Sequence, residues 1–286
     1  MLIVPGSASK KVAEDLSKLL NCGIVKVNIK EFADGERYVR LEDEVKDEDL
    51  IIIQNTYPDG NIIETFLLQD ASADAGANSI TLVIPYYGYG RQDRKFLDGE
   101  AVSARILAEL LSSLSDAIIL VDPHKQHILN FFKAPAYSCS ANEEIAKYLS
   151  EKVDIILAPD KGAMERAKEI AKITNCDCDF LEKRRIDDRT VEIEPKEVEV
   201  DGKRVAIVDD IISTGGTMAK AVEEMKKQGA KWVCAACVHG LFVKDAIKKL
   251  ERAGADEIVS TDSVYSRFSK VSVAPAIVKK LKELMG

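Results

Sequence analysis

Short runs of aliphatic residues recur along the chain and alternate with segments in which apolar residues return every three or four positions. The runs are typical of strands buried on both faces of a parallel sheet. The intervening segments predict amphipathic helices, and the first has Val12, Leu16, Leu19 and Leu20 on one face. Strands that alternate with helices predict an α/β fold with mostly parallel sheets flanked by helices. The predicted strands occupy residues 2–4, 50–53, 80–84, 117–121, 155–157, 204–208 and 257–260.

Two stretches that lie about 150 residues apart begin in the same way, which indicates a duplicated domain. The first strand runs into the turn Pro5-Gly6-Ser7 and then a helix. The strand at 155–157 runs into Pro159-Asp160-Lys161-Gly162 and then a helix. The small polar stretch at 138–142 is the expected join, so we predict two domains, 1–140 and 141–274.

A last helix is predicted over 275–284, because Ile277, Leu281 and Leu284 recur on one face. Periodicity alone does not assign this helix to either domain.

Composition narrows the class of protein. The 286 residues have a net charge of −8, which argues against nucleic acid as the main partner. With 46% hydrophobic residues and no long apolar run, we expect a protein without a membrane span. Because no signal peptide is visible, we expect a cytoplasmic location.

Six cysteines occur, and Cys234-Ala-Ala-Cys237 has the spacing of a metal-binding pair. This pair lies inside an apolar run that predicts a strand, and Cys176-Asp177-Cys178 is the remaining candidate pair. We therefore interpret the cysteines as structural and reduced rather than as metal ligands or a disulfide.

The strand at 204–208 is followed by Asp209 and Asp210, then by the short loop 213–217 and a helix. In open α/β sheets, ligands bind beyond the carboxyl ends of the strands, and a helix N-terminus favours an anion. Adjacent acids repel each other unless a cation or hydroxyl groups separate them. We interpret the acids as a site for sugar hydroxyls or magnesium and the loop as a phosphate site. The alternative is a plain turn with a Ser or Thr N-cap.

The first half contains two further loops of interest. Residues 32–36, Phe-Ala-Asp-Gly-Glu, contain an Asp-Gly turn signal between extended runs, which predicts a hairpin tip with an unusual exposed Phe32. Residues 85–94 follow the strand at 80–84. The tyrosines there can flank a planar base, while Arg91 and Gln92 supply donors for phosphate or adenine. The alternative for this second loop is a glycine-rich turn with solvated charges.

Asp122 and His124 follow the strand at 117–121. Because residues two apart project to one side of an extended backbone, we expect them together at a magnesium-dependent phosphotransfer site. A zinc pair is the alternative. For His127 we expect a local structural role.

Residues 183–203 are charged, interrupted by Pro195 and poor in apolar residues, which predicts a mobile hairpin or lid. The segment begins with Lys183-Arg184-Arg185. A closing loop that carries cations neutralises the charge that develops in phosphoryl transfer. The alternative is an ordinary solvated surface.

Residues 205–217 resemble the phosphoribosyl-pyrophosphate (PRPP) binding motif of type I phosphoribosyltransferases and PRPP synthetases. With the motifs at 32–36, 91–93 and 183–185 and with His124, the whole chain resembles the ribose-phosphate pyrophosphokinase family. Ser213, where many relatives have an acid, resembles the archaeal-type branch.

The resemblance implies two similar phosphoribosyltransferase-like (type I) domains. The first would hold ATP, and helix 275–286 would pack on it. The second would hold ribose 5-phosphate and carry a catalytic flexible loop at 183–203.

The resemblance also implies roles for individual residues. The implied catalytic residues are Lys183 and Arg185. The implied ATP-binding residues are Phe32, Asp34, Glu36, Arg91, Gln92, Asp93 and His124. The implied ribose-5-phosphate-binding residues are Asp209, Asp210, Ser213, Thr214, Gly215, Gly216 and Thr217. The implied ligands of Mg²⁺ are His124, Asp160 and Asp122.

The activity implied by the resemblance is that of a ribose-phosphate diphosphokinase, which makes PRPP and AMP from ATP and ribose 5-phosphate. The family also implies a homo-oligomer, a dimer, tetramer or hexamer, in which a neighbouring subunit lends the Phe-bearing loop. Two alternatives stay open. A phosphoribosyltransferase that consumes PRPP shares the Asp-Asp loop. A non-catalytic regulatory relative would be expected to lose charged groups that this chain keeps, such as Lys183, Arg185 and His124.

Overall fold

The computed structural model describes residues 1–185, 191–194 and 198–285, with the backbone alone at 182–185, 191–194 and 285. Two compact units are present. The first comprises Met1–Ser140, Ser263–Tyr265 and Ser272–Gly286, and the second comprises Ala141–Asp262 and Ser266–Val271. In this described part of the chain, no helix combines the length and the apolar content needed to cross a membrane.

The first unit is built on a six-stranded parallel sheet with the strand order β2-β1-β5-β6-β7-β8. A separate antiparallel hairpin, β3–β4, extends from it. The elements are β1 Leu2–Pro5, α1 Lys10–Leu20, β2 Gly23–Ile24, β3 Val27–Glu31, β4 Arg37–Leu41, β5 Asp49–Ile53, α2 Gly60–Asp74, β6 Ser79–Ile84, α3 Ser103–Leu111, β7 Ala117–Val121 and β8 Ala136–Cys139.

The second unit repeats this plan with the strand order β10-β9-β13-β14-β15-β16, again all parallel. Its elements are α4 Asn142–Leu149, β9 Ile155–Ala158, α5 Met164–Thr174, β10 Asp177–Phe180, β11 Glu182–Arg185, β12 Val191–Glu194, β13 Arg204–Ile212, α6 Gly216–Lys227, β14 Trp232–Gly240, α7 Ala246–Arg252, β15 Glu257–Thr261 and β16 Ser269–Val271. The predicted α/β class with mostly parallel sheets is therefore confirmed.

Each sheet is covered on both faces, as its aliphatic strands require. In the first unit both Ile51 and Ile52, whose side chains point to opposite faces of β5, are buried. In the second unit Ala206 and Ile207 are both fully buried on β13. The unbroken apolar runs in the sequence thus correspond to central strands between two helical layers.

The final helix, α8 Ala274–Met285, belongs to the first unit and packs against α1. Ile277 and Leu281 are buried there, whereas Leu284 is exposed. In α1, Val12 and Leu16 are buried but Leu19 is exposed, so the prediction that Leu19 shares the buried face was wrong. The small residue Ala13 is buried instead.

The segment predicted to be a mobile lid includes an antiparallel pair, β11–β12, in which Lys183 lies opposite Ile193 and Arg185 opposite Val191. The rest of the lid prediction falls partly on residues 186–190 and 195–197, which lie outside the described residues. From Val198 onward the chain returns to the core of the second unit, where Val198 and Val200 are buried.

Candidate active site

The acid pair lies inside β13, because this strand continues past the predicted end at residue 208 to Ile212. The pairing of β13 with β9 ends at Ile207, while its pairing with β14 continues and places Asp209 opposite Cys237. Each acid accepts a hydrogen bond from the next backbone N–H, Asp210 N to Asp209 Oδ1 at 2.9 Å and Ile211 N to Asp210 Oδ1 at 2.8 Å. The two carboxyls are thus held at the carboxyl edge of the sheet.

Burial raises the pKa of Asp209 from 3.8 to about 8, and the charges of Asp210 and Asp160 add to the effect. Asp160 follows β9, the strand beside β13, and its carboxylate accepts a hydrogen bond from Gly162 N at 2.8 Å. Three carboxyls therefore act on one another at the ends of two neighbouring strands. Their repulsion is relieved when hydroxyl donors or a cation bind among them.

Oxygen donors of this kind suit Mg²⁺. Within the described residues, however, no group of three or more His, Cys, Asp or Glu side chains is spaced to hold a metal by itself. A cation at these carboxyls would therefore share its coordination with oxygens of a bound substrate, which is how magnesium usually binds at phosphate sites.

The loop after β13 leads into α6 through Gly215, the N-cap, with φ 72. A side chain at Gly215 would meet the backbone of Ala246 at 3.1 Å, whereas the space around Gly216 is open to 4 Å. Because glycine has no side-chain oxygen to accept a hydrogen bond from the first-turn N–H groups, a plain turn with a Ser or Thr N-cap is excluded. The first-turn N–H groups of α6 are not capped by a side chain and can receive an anion.

Residues just before α7 and within it donate hydrogen bonds to the proposed phosphate loop, residues 213–217. Val243 N donates to Ser213 O at 3.0 Å, and Lys249 Nζ donates to Thr214 O at 3.2 Å. Lys249 also pairs with Asp245 at 2.9 Å. Sequence patterns do not reveal this role for Lys249, because it is 35 residues from Thr214 and the contact depends on the tertiary fold.

The residues 32–36 form the tip of the β3–β4 hairpin, as predicted. Phe32 N donates to Glu36 O at 2.8 Å, and Gly35 N donates to Phe32 O at 2.9 Å, with Gly35 at φ 92. Phe32 is 52% exposed and contacts only the edge of Tyr38 among aromatic rings of the described residues, with ring centroids 6.0 Å apart. A large apolar side chain is therefore presented on a short, well-formed turn.

The loop at 85–94 differs from its prediction in two of its tyrosines. Tyr86 and Tyr87 are buried, and the Tyr87 hydroxyl donates to Ala104 O at 2.7 Å, so neither ring is available to flank a base. Tyr89 is exposed.

The polar residues of this loop are held by local partners. Gln92 Nε2 donates to Glu100 Oε2 at 3.2 Å and to Arg94 O at 3.1 Å. Asp93 is buried, with its Oδ2 3.1 Å from His127 Nε2. Arg91 is exposed. Glu100, which the sequence did not single out, accepts N–H groups of Phe96 and Leu97, and these hydrogen bonds lower its pKa.

Asp122 is buried and has φ 40, so the backbone is not extended between Asp122 and His124. The argument that both side chains project to one side was therefore wrong. Asp122 Oδ1 instead accepts a hydrogen bond from Ser140 Oγ at 3.0 Å. Asp122 and His124 lie in the first unit and Asp160 in the second.

Lys183 and Arg185 occupy alternate positions of β11, and their side chains lie outside the described residues. All six cysteines are free thiols. Burial raises the pKa of both Cys234 and Cys237 in β14, which leaves them as neutral core side chains.

Comparison with known proteins gives a consistent result. Residues 1–114 match the N-terminal domain of ribose phosphate pyrophosphokinase, and residues 133–275 match the phosphoribosyl transferase domain. The protein named ribose-phosphate pyrophosphokinase from Methanothermobacter thermautotrophicus is 40% identical over 99% of this chain and all of its own length. The protein of the same name from Pyrococcus furiosus is 41% identical over 98% of this chain and all of its own length.

A solved structure agrees. The crystal structure of phosphoribosylpyrophosphate synthetase from Mycobacterium smegmatis superimposes with a TM-score of 0.85 at 28% identity, over 99% of this chain and 98% of that one. The similarity thus includes both units, the Asp209–Asp210 strand and the hairpin. This chain belongs to the ribose-phosphate pyrophosphokinase family.

Proposed function

We propose that this protein is a ribose-phosphate diphosphokinase, which transfers the pyrophosphoryl group of ATP to the 1-hydroxyl of ribose 5-phosphate and releases AMP. The observation that carries the proposal is the mutually repelling acids of β13 beside the uncapped N-terminus of α6. The carboxylates accept hydrogen bonds from hydroxyl groups, and the N-terminus of the helix binds an anion. A sugar phosphate presents both groups at once.

In the proposed sugar site, Asp209 and Asp210 orient the ring hydroxyls and Ser213, Thr214, Gly215, Gly216 and Thr217 bind the 5-phosphate. Burial and the neighbouring charges of Asp210 and Asp160 raise the pKa of Asp209 and so favour its protonated form in the free protein. A bound cation or hydroxyl donor favours its ionised form. Binding of the sugar with its cation is therefore coupled to release of a proton.

The proposed nucleotide site uses Phe32, Asp34 and Glu36 of the hairpin with Arg91, Gln92, Asp93 and His124. Phe32 is exposed and can pack on a planar base. The hydrogen bonds of Gln92 to Glu100 and the contact of Asp93 with His127 hold the 91–93 segment in one conformation. A fixed loop helps to place the β-phosphorus in line with the attacking hydroxyl.

Mg²⁺ is the proposed cofactor, with Asp122, His124 and Asp160 as proposed ligands alongside substrate oxygens. When bound, it would neutralise phosphate charge and polarise the transferred group. Lys183 and Arg185 are the proposed catalytic residues, because cations that approach the transferred group stabilise the charge of the transition state. No protein nucleophile is required, since the chemistry rests on positioning and charge.

We further propose a cytoplasmic homo-oligomer, a dimer, tetramer or hexamer. The six free thiols support a reducing compartment. The exposed Phe32 supports an assembly in which the hairpin tip meets another surface.

One assay separates this activity from the alternatives. The full chain is incubated with ATP, magnesium and ribose 5-phosphate, and AMP and PRPP are expected in equal amounts. A PRPP-consuming transferase would release pyrophosphate from PRPP and a base, and a regulatory relative would give neither result. Either outcome would overturn the proposal.

The catalytic loop is tested by Lys183→Ala combined with Arg185→Ala. We expect turnover to fall by roughly 10³-fold or more while the affinity for ribose 5-phosphate stays near the parent value. The exposed pair Lys168→Ala with Lys172→Ala in α5 removes the same charge and is the control. Near-parent turnover in the 183/185 variant would show that these residues are not catalytic.

A further inference from the structure

The two sheets have the same strand order, so the strand-end positions of the sugar-phosphate site have counterparts in the first unit. Leu2 pairs with Leu50 as Ile155 pairs with Val205. Counting from these pairs, the counterparts of Asp209, Asp210 and Asp160 are the uncharged residues Gln54, Asn55 and Ser7. The acidic character of the site is therefore absent from the equivalent strand ends of the first unit.

In the helices that follow these strands, the first unit carries an acidic residue where the second carries a basic one. Gly60 and Gly216 begin α2 and α6, and four residues later α2 carries Glu64 where α6 carries Lys220. The side chain of Glu64 is completely buried. A buried carboxylate is costly unless it is hydrogen-bonded or paired, so its partners show what it does.

Glu64 lies at the strand ends of the first unit that correspond to those of Asp160 and Asp209. Its Oε1 accepts Ser7 N at 2.7 Å and Gln54 Nε2 at 2.6 Å, and its Oε2 accepts Ser7 Oγ at 2.7 Å. These donors lie at the ends of β1 and β5. The carboxylate thus links the ends of β1 and β5.

The remaining contact of Glu64 is with Arg37, at the base of the hairpin. Arg37 Nη1 lies 3.9 Å from Glu64 Oε2, and Arg37 Nη2 lies 3.1 Å from Glu31 Oε2. Arg37 and Glu31 form the last cross-strand pair before the tip. The guanidinium also lies against the first turn of α2, because a side chain at Gly60 would come within 2.9 Å of it.

We propose that Glu64 and Arg37 are positioning residues for nucleotide binding: the buried carboxylate holds the Arg37 guanidinium, and Arg37 fixes the angle at which the hairpin presents Phe32, Asp34 and Glu36. This inference rests on the proposed role of the hairpin in ATP binding. Arg37 is only 23% exposed, and it joins both strands of the hairpin to α2. The pair acts at the base of the hairpin, so it need not touch ATP.

The experiment measures KM and kcat for both substrates in the full-length Glu64→Gln, Arg37→Met and double variants. We expect each single variant to raise the KM for ATP about three- to tenfold, the loss typical of one charged contact. The KM for ribose 5-phosphate should stay near the parent value. The loss in the double variant should be smaller than the sum of the two single losses, because both changes remove the contact between Arg37 and Glu64.

Controls separate this inference from a general loss of stability and from the proposed function. Asp70→Asn removes one exposed negative charge from the same helix and should leave both KM values unchanged. Arg37→Lys should restore part of the ATP affinity. If Glu64→Gln does not fold, the Arg37 variants still decide the matter.

Phe32→Ala tests the underlying assumption. If it leaves the KM for ATP unchanged, the proposed nucleotide site is wrong. If Phe32→Ala raises that KM but Arg37→Met does not, or if the double variant shows fully additive losses, the positioning role is wrong and the proposed function stands.

Discussion

The imidazole Nε2 of His127 lies 3.1 Å from Oδ2 of Asp93, and this contact holds the buried acid of the 91–93 motif in place. His127 also packs edge-on against Phe131, with ring centroids 5.8 Å apart, which limits its own movement. The histidine therefore orients a proposed nucleotide-binding residue without belonging to the motif.

Loss of this contact should weaken nucleotide binding. We expect His127→Ala to raise the KM for ATP about three- to tenfold, since the buried Asp93 carboxylate loses its contact with the imidazole. Steady-state kinetics with ATP varied will measure this. Lys125→Ala, a nearby exposed position, is the control. An unchanged KM in His127→Ala would show that Asp93 is oriented by other groups.

The raised pKa of Asp209 predicts a pH dependence of stability in the ligand-free protein. The folded pKa is about 8 and the ordinary value is 3.8, so the folded state keeps a proton that the unfolded state releases between these values. The contribution of Asp209 is therefore fully present below about pH 4 and is lost as pH rises toward 8.

Asp209→Asn should abolish this part of the dependence and raise the free energy of unfolding at pH 8 by about 1–3 kcal/mol, while kcat/KM falls by roughly 100-fold or more. Urea unfolding from pH 5 to 9 is the measurement. Asp177→Asn, at an exposed position of the same unit, is the control. Equal pH slopes in the parent and in Asp209→Asn would contradict the prediction.

Because Gly215 has no side chain, it can adopt a positive φ and lie close to the backbone of Ala246. Gly215→Ala should displace the phosphate loop and raise the KM for ribose 5-phosphate at least about tenfold, because the neighbour it meets is backbone. Gly202→Ala is a matched control, since Gly202 has φ 68 but nothing within 4 Å. Both variants bear about 1–2 kcal/mol of backbone strain, so only Gly215→Ala should lose sugar affinity.

The hydrogen bond from Lys249 to Thr214 O predicts a role in shaping the phosphate loop. We expect Lys249→Met to raise the KM for ribose 5-phosphate about threefold with the KM for ATP unchanged. Lys248→Met, one residue earlier and exposed, removes the same charge and should have no effect. Equal effects of the two variants would attribute the change to net charge alone.

Much of the fold follows from local patterns. The aliphatic runs marked every central strand of both sheets to within a few residues, because a strand buried on both faces must be apolar throughout. The hairpin tip at 32–36 followed from its Asp-Gly signal, since this turn chemistry is local. These features need no knowledge of distant contacts.

The structure differs from the predictions where contacts between residues distant in sequence determine burial or backbone conformation. Tyr87 is buried in the first-unit core and Tyr86 is buried with its ring edge-on to Tyr57, which no pattern in the loop reveals. Asp122 adopts a positive φ, which an extended-strand argument cannot foresee. Glu64 looks like an ordinary helix acid until Ser7, Gln54 and Arg37 are brought around it. Site residues of this second kind become visible only in three dimensions.

The shared strand order of the two units has a consequence for redesign. Since both units share one strand order, we expect ligand preference to reside in a handful of side chains at the strand ends and near the start of one helix. A chain with a second sugar pocket would therefore need those side chains and the loop 213–217 transferred together.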